Sequence, residues 1–410
     1  MQKHSMHTML ANPPVRSRRL FRTALVTETF PPEVNGVANT VARVVTGLRA
    51  RNHQVQLVRP RQTGDAQTTT HDASNQVLTR GIQIPMYGHL RMGLPCTGTL
   101  RRLWSERRPD VVHIATEGPL GWSALQAASS LGLPVCSDFR TNFHAYSQFY
   151  GAAWLNRPIM AYLRHFHNRC HSTMVPTDTL RLQLEASGFK PLSVVARGVD
   201  TTLFSPAKRD PALRRSWGIG DDGLVVLHVG RLAPEKNLDL VVKAFARLQL
   251  LQPQARLVVV GDGPSKADMQ AQCPQAVFAG FRSGEALAAH YASSDMFLFP
   301  SLTETYGNVT PEAMASGLPV VAFDDAAAGQ LINHRASGLL ATRSDDNMFV
   351  QLATELASDA TQRRSLGERA RARALELGWD SIIRSIERIY GEAVAQVEGR
   401  LGTLVGTPGW

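Results

Sequence analysis

Short runs of β-branched and aliphatic residues alternate with longer amphipathic stretches along this 410-residue chain, and the alternation restarts midway. A parallel strand buried on both faces reads as a continuous apolar run. A strand followed by a crossover helix is the repeating unit of α/β domains. In the first half, Thr23–Thr27 predicts a strand, Val37–Arg51 the helix after its loop, and Gln54–Val58 the next strand. Further strands are expected at Val111–Ile114, Val135–Ser137, Met174–Pro176 and Ser193–Val195. The second half repeats the scheme, with strands at Leu224–Val229, Arg256–Val260, Val277–Ala279, Met296–Phe299 and Val320–Ala322 and a helix at Leu238–Leu248. The length exceeds one ordinary core. An α/β chain of two Rossmann-like domains is expected. The polar, proline-bearing stretch Asp200–Pro211 separates them, giving units at 21–203 and 204–380 behind a basic, weakly ordered tail at 1–20.

Composition narrows the class. The 43% hydrophobic and 19% charged content suits a soluble enzyme. No apolar run reaches the ~18 residues of a membrane span, and the N-terminal stretch lacks the apolar centre of a signal peptide. The four cysteines are scattered, with no Cys-x-x-Cys pair, which predicts neither a disulfide scaffold nor a zinc ribbon and fits a reduced cytoplasmic compartment. Residues 1–200 carry 23 Lys+Arg against 11 Asp+Glu, a balance of +12, whereas residues 201–410 carry 21 against 23. A basic half attracts anionic membrane surfaces or phosphorylated substrates. Because only six of the 44 cationic residues are lysine, an arginine-rich coding bias accounts for it equally well. No basic stripe interleaved with aromatics occurs, so nucleic acid is not an expected partner.

Ligands of open parallel sheets bind beyond the carboxyl ends of the strands, and the distinctive motifs fall there. After strand 224–229 comes Gly230-Arg231-Leu232-Ala233-Pro234-Glu235-Lys236-Asn237. Gly230 allows a sharp turn, and Arg231 and Lys236 place two cations on one loop before a helix, which suits a diphosphate. Taken alone, the octapeptide also reads as a solvated, capped loop. Gly261-Asp262-Gly263-Pro264 reads as a structural corner. After strand 296–299, Glu304 sits on a loop and Glu312 in the first turn of a short helix starting near Thr310-Pro311 and ending at Gly317, with seven residues between the two carboxylates. Carboxylates accept sugar and ribose hydroxyls. Gly307 and Asn308 offer backbone N–H groups between them. Glu312 also suits a helix N-terminus electrostatically. In the first half, Glu28-Thr29-Phe30-Pro31-Pro32-Glu33-Val34-Asn35-Gly36 leads into a helix, with Gly36 allowing close approach of a phosphate or sugar. No Gly-x-Gly-x-x-Gly fingerprint follows either first strand.

Together VGRLAPEKN, GDGP, ARGVDTTLFSP and ETYGNVTPEAMASGLPVV resemble the retaining glycosyltransferase family 4, which has the GT-B fold, over about residues 22–395. TETFPPEVNGVANTVARVV is similar to its mannosyltransferase and sulfolipid-synthase-like branch. The resemblance implies an acceptor domain at 21–203 and a nucleotide-sugar donor domain at 204–380, with the final helix, 381–397, returning onto the first domain. It implies that Gly230, Arg231 and Lys236 hold the donor diphosphate, Glu312 the ribose, and Glu304 the transferred sugar. The backbone at Gly307, Asn308 and Val309 would support sugar or phosphate, and Gly36 would close over the diphosphate. Where many relatives read His-Thr, this chain reads Asp138-Phe139-Arg140-Thr141-Asn142-Phe143-His144, which leaves Arg140, His144 and the strand-end His113 as acceptor-side candidates. His113 reads equally as a satisfied core histidine.

The implied reaction moves a hexose, by family analogy mannose from GDP-mannose, onto a lipid or glycan hydroxyl with retention. The departing phosphate takes the acceptor's proton, and Arg231 and Lys236 stabilise the charge it gains. No Asp-x-Asp occurs, so no metal and no other cofactor is expected. A UDP-sugar-dependent glycolipid synthase of the same fold and a non-catalytic nucleotide-sugar or nucleic-acid binder are the alternatives. His165, His167, Cys170 and His171 do not share one helical face, so a polar helix over Arg157–His171 is expected rather than a zinc site. Such a helix is either half-buried or a contact with anionic lipid at the inner face of the cytoplasmic membrane.

Overall fold

The computed structural model describes residues 19–33, 35–62, 65, 75–84, 87–140 and 156–405. Nearly all of the tail expected at 1–20, and His144, lie outside the described residues.

The first half builds a seven-stranded sheet from β1 (Arg22–Val26), β2 (Gln54–Pro60), β3 (Gln76–Thr79), β6 (Val111–Ile114), β7 (Val135–Asp138), β8 (Ser172–Val175) and β9 (Leu192–Val194), in the order β3-β2-β1-β6-β7-β8-β9. A small antiparallel pair, β4 (Gly81–Ile84) with β5 (Tyr87–Gly93), stands apart. The second half builds a six-stranded sheet from β10 (Val225–Val229), β11 (Arg256–Val260), β12 (Val277–Gly280), β13 (Met296–Phe299), β14 (Val320–Phe323) and β15 (Leu339–Ala341), in the order β12-β11-β10-β13-β14-β15. All ladders within the two large sheets are parallel.

Each sheet reverses its strand order once. Leu25 of β1 pairs with Leu57 on one side and His113 on the other. Leu227 of β10 pairs with Val258 and with Phe297. At such a reversal the two flanking crossovers part to opposite faces and leave a crevice at the carboxyl ends of the strands. Both central strands are buried on both faces. Val226, Val259, Leu298 and Val321 face a layer containing Val241, Phe245 and Phe349, while Leu227, Phe297 and Phe299 face Tyr291 and Met314.

The helix Gly36–Ala50 starts at Asn35, whose side chain accepts a hydrogen bond from the Ala38 N–H. It buries Val41, Val44, Val45 and Leu48, a 3–4-residue spacing. Against that stripe lies the final helix, Trp379–Val405, which begins beyond the second sheet and buries Ile382, Ile383, Ile386, Ile389 and Tyr390 in the first half's core. A Cβ on Gly47 would stand 2.6 Å from Ile383 Cγ1, so the crossing depends on glycine there. Arg51 fixes the helix further through ion pairs to Glu387 at 2.9 Å and Asp380 at 2.5 Å.

Candidate functional site

The loop leaving β10 hydrogen-bonds to its neighbour after β11. Gly230 N–H donates to the Val260 carbonyl (3.0 Å) and Leu232 N–H to the Asp262 carbonyl (2.9 Å). Gly261 has φ 141°, and a Cβ there would sit 1.9 Å from the Gly230 carbonyl oxygen. Gly261 and Gly263 therefore let two backbone segments pack in contact, the structural corner expected for Gly261-Asp262-Gly263-Pro264.

A single 3₁₀ turn, Pro234–Lys236, follows, and Asn237 in the left-handed region (φ 53°) redirects the chain into the helix Leu238–Gln249. The turn buries Glu235 completely and leaves Arg231 partly exposed, the two joined by an ion pair. The Glu235 carbonyl accepts from Leu302 N–H (3.0 Å), which ties this loop to the one after β13. On that second loop Glu304 meets Lys236 directly in a charge-assisted hydrogen bond, and Ser301 Oγ donates to the same carboxylate oxygen at 2.9 Å. The Lys236 ammonium also lies 5.6 Å from the Phe299 ring centroid. The two motifs, 68 residues apart in sequence, thus converge at the switch point of the second sheet.

Gly307 (φ 88°) turns the chain next to Glu304, where a β-branched residue would be strained. Asn308 and Val309 open the helix Val309–Ala315, whose first N–H groups have no acceptor within the helix. Glu312, in its first turn, accepts a hydrogen bond from Tyr291 OH at 3.0 Å. Burial pushes the Glu312 carboxyl up to about 7, against the opposing pull of that hydrogen bond. From the first half, Gly36 reaches the same place: a Cβ on it would lie 3.6 Å from Asn308 Nδ2. Beside Glu304, a cavity of about 40 Å³ opens between the halves, lined by Thr177, Gln183, Thr303 and Arg343 among others.

The acceptor-side candidates fare differently. His113 is wholly buried, with Nδ1 2.7 Å from Tyr390 OH and Nε2 2.7 Å from Asp138 Oδ2. The expectation that it faces the cleft is corrected: both ring nitrogens are consumed in joining the final helix to β7. Arg140 is also largely buried and donates through Nε (2.8 Å) and Nη2 to the same Asp138 oxygen. Burial alone would raise Asp138, but Arg140 and His113 outweigh it and hold the carboxyl at about 2. Arg140 and Asp138 line a small cavity of about 20 Å³ with Arg197 and Trp379.

The histidine-rich segment forms the helix Asn156–His167, which turns Leu163 and Phe166 into the core. His167 sits between Ser137 Oγ (3.0 Å) and Glu117 Oε1 (3.3 Å), His171 Nδ1 accepts from Val135 N–H, and His165 packs on Trp122. The three imidazoles thus serve three separate structural contacts.

Sequence reasoning missed three residues of this region. Glu235 positions Arg231, Tyr291 holds Glu312, and Arg197 stands where the halves meet. Glu235 lay inside a quoted motif, but the burial that gives it its task depends on a loop 66 residues away.

Two parallel sheets with a cation-bearing loop at the switch point of the second sheet, and a glycine loop from the first reaching it, define the GT-B class of sugar-transferring enzymes. Residues 34–203 match the family described as Glycosyltransferase Family 4, and residues 210–373 that described as Glycosyl transferases group 1. A GDP-mannose-dependent alpha-mannosyltransferase of Mycolicibacterium smegmatis is 36% identical over 380 residues, 90% of this chain and 98% of that protein. One of the same description from Mycobacterium tuberculosis is 34% identical, covering 92% of this chain and 98% of its own. Sucrose-phosphate synthase from Thermosynechococcus elongatus superposes with a TM-score of 0.74 at 19% identity, over 91% of this chain and 99% of that one. The chain belongs to the family 4 glycosyltransferases and is an enzyme of that type.

Proposed function

We propose that the protein transfers mannose from GDP-mannose, with retention of configuration, to a hydroxyl of a lipid or glycan acceptor. The observation that carries this reading is the meeting of Lys236 and Glu304 at the switch point of the donor-side sheet. It puts a cation suited to phosphate and a carboxylate suited to sugar hydroxyls side by side on neighbouring loops. Mannose and GDP come from the mannosyltransferase relatives that span nearly the whole chain.

In this reading Gly230, Arg231 and Lys236 take the diphosphate. Arg231 is held by buried Glu235, so its orientation is set before the donor arrives. Lys236 exchanges part of its contact with Glu304 for the phosphate, which frees carboxylate lone pairs for sugar hydroxyls. Glu312 takes the ribose hydroxyls, and Asn308 and Val309 present backbone N–H groups to sugar or phosphate. Gly36 closes from the opposite half. As the glycosidic bond breaks, negative charge grows on the leaving oxygen, and the two cations stabilise that charge more than the ground state. The leaving phosphate oxygen accepts the proton of the attacking hydroxyl on the same face, which retains configuration. No metal or other cofactor enters the proposal, because the cations supply the charge neutralisation.

The acceptor approaches through the polar cavity beside Glu304. No helix among the described residues is long and apolar enough to cross a membrane. The basic balance of the first half and the exposed Arg157 and Arg164 support work at an anionic cytoplasmic membrane face. A thermal-shift screen of GDP-, UDP- and ADP-sugars tests the reading. GDP-mannose is expected to stabilise the protein and to be consumed when a mannoside acceptor is added. Stabilisation by UDP-glucose alone reassigns the donor, and no response to any of them overturns the reading.

A further inference from the structure

Arg197 follows β9 at the join between the halves, and only 9% of it is exposed. A buried guanidinium ordinarily has a carboxylate beside it, since an unpaired buried charge is costly. Among the described residues Arg197 makes no ion pair. Its contacts are a hydrogen bond from Nη1 to Asn308 Oδ1, at 3.5 Å, and a position 5.6 Å above the Tyr306 ring. Its backbone is anchored, because Tyr306 OH donates to the Arg197 carbonyl at 3.1 Å. Arg140 shares its cavity and repels it, while Asp138, the carboxylate lining that cavity, is already taken by Arg140 and His113. Arg197 thus has no carboxylate in direct contact among the described residues, Asp138 and Glu304 acting on it only at longer range, and its positive charge sits against Asn308.

Asn308 is also the residue that Gly36 approaches from the first half. This cation, the phosphate-side glycine of one domain and the sugar-side loop of the other thus lie within one contact shell. A phosphate entering there would find what Arg197 lacks: oxygen acceptors that match a planar fork. Asn308 Oδ1, a weak partner at 3.5 Å, would be displaced with little loss.

We propose that Arg197 is a third donor-binding cation, which engages the nucleoside diphosphate from the side of the first domain, opposite Arg231 and Lys236. This extends the functional reading above and rests on it. A cation on the join couples occupancy of the diphosphate site to the approach of the two halves, a task that two cations on a single domain's loop cannot perform.

The test compares a nucleoside diphosphate with its bare nucleoside. Calorimetry first identifies which of GDP, UDP and ADP binds the wild-type protein. Competition titrations then measure that diphosphate and the corresponding nucleoside against wild type, Arg197→Met and Lys236→Ala. Loss of a charge-assisted phosphate contact is expected to weaken the diphosphate about 10- to 100-fold in Arg197→Met. Nucleoside affinity should stay within about twofold, because the base and ribose contacts do not include Arg197. A general folding defect lowers both, so the ratio separates a phosphate contact from a structural role. Should the Met variant fail to fold, Arg197→Gln is read by the same ratio. If Lys236→Ala loses diphosphate affinity while both Arg197 variants keep the wild-type ratio, Arg197 is not a phosphate ligand and the donor reading stands. If no diphosphate binds the wild type, the donor reading and the role of Arg197 fall together.

Discussion

The two halves of the cleft use their polar side chains in opposite ways. On the proposed donor side Arg231, Lys236 and Glu304 sit on loops at strand ends and Glu312 in the first turn of a helix, with Glu235 paired to Arg231, Lys236 and Ser301 meeting on Glu304, and Tyr291 bound to Glu312. On the acceptor side His113, Asp138 and Arg140 form a closed chain with Tyr390 of the final helix. The first arrangement leaves binding capacity for a ligand; the second spends it on clamping the C-terminal helix to β6 and β7. The strand-end loops of the second half are thus left able to meet a ligand, while the first half gives its buried charge to holding the final helix.

That contrast predicts separable effects. The largest is on turnover: Lys236→Ala should lower kcat with GDP-mannose about 10²–10³-fold, the scale of removing one preorganised donor to a leaving group. Equal activity of variant and wild type in a coupled GDP-release assay would break the donor half of the comparison. Next comes stability. Asp138→Ala strands Arg140 and His113 and should cost about 3–5 kcal/mol in urea unfolding, while folded variant at low temperature keeps its GDP affinity. A variant with wild-type stability and lost GDP binding would invert the roles of the two halves.

A smaller effect follows from Glu312. Its folded pKa of about 7 lies above its ordinary value, so the stability contributed by the protonated carboxyl is complete at low pH and is lost as pH rises through 7. Melting curves between pH 5 and 8 should therefore show wild type losing ground relative to Glu312→Gln as pH rises. Donor affinity should move the other way in wild type, because the ionised carboxylate accepts ribose hydroxyl bonds more strongly. Parallel pH profiles for the two proteins would contradict this placement of Glu312. The smallest expected effect is none: EDTA should leave turnover unchanged if Arg231, Lys236 and Arg197 neutralise the diphosphate by themselves, and a loss restored by a divalent cation would show that they do not.

Much of this was legible in the chain because central parallel strands are apolar throughout. VVHI, RLVVV and MFLF were placed residue for residue, and the other expected strands to within one or two residues at each end. The strands that escaped are short or mixed: QVLT at an edge, the β4–β5 pair, and the three-residue LLA. Their pairing is set by neighbours rather than by their own composition. The donor-side candidates were singled out by loop motifs after buried strands and given roles by the family resemblance, and the structure brings Lys236 and Glu304 of two such motifs together. Their partners were not legible in that way. Tyr291 reads as an ordinary core aromatic until Glu312 is seen beside it, and His113 reads equally as a cleft or a core residue until Tyr390, 277 positions later, covers it. Arg197 sat inside a quoted motif, ARGVDTTLFSP, but its want of a counter-ion is a property of three-dimensional surroundings that no spacing rule conveys.

The central claim is that cations and carboxylates of the second domain converge on one nucleoside diphosphate and its sugar. A crystal structure with GDP bound tests it directly. The account predicts diphosphate oxygens within hydrogen-bond distance of both Arg231 and Lys236, with the ribose hydroxyls on Glu312. Electron density for GDP that touches neither cation, or that lies away from the β10–β13 crevice, would contradict it.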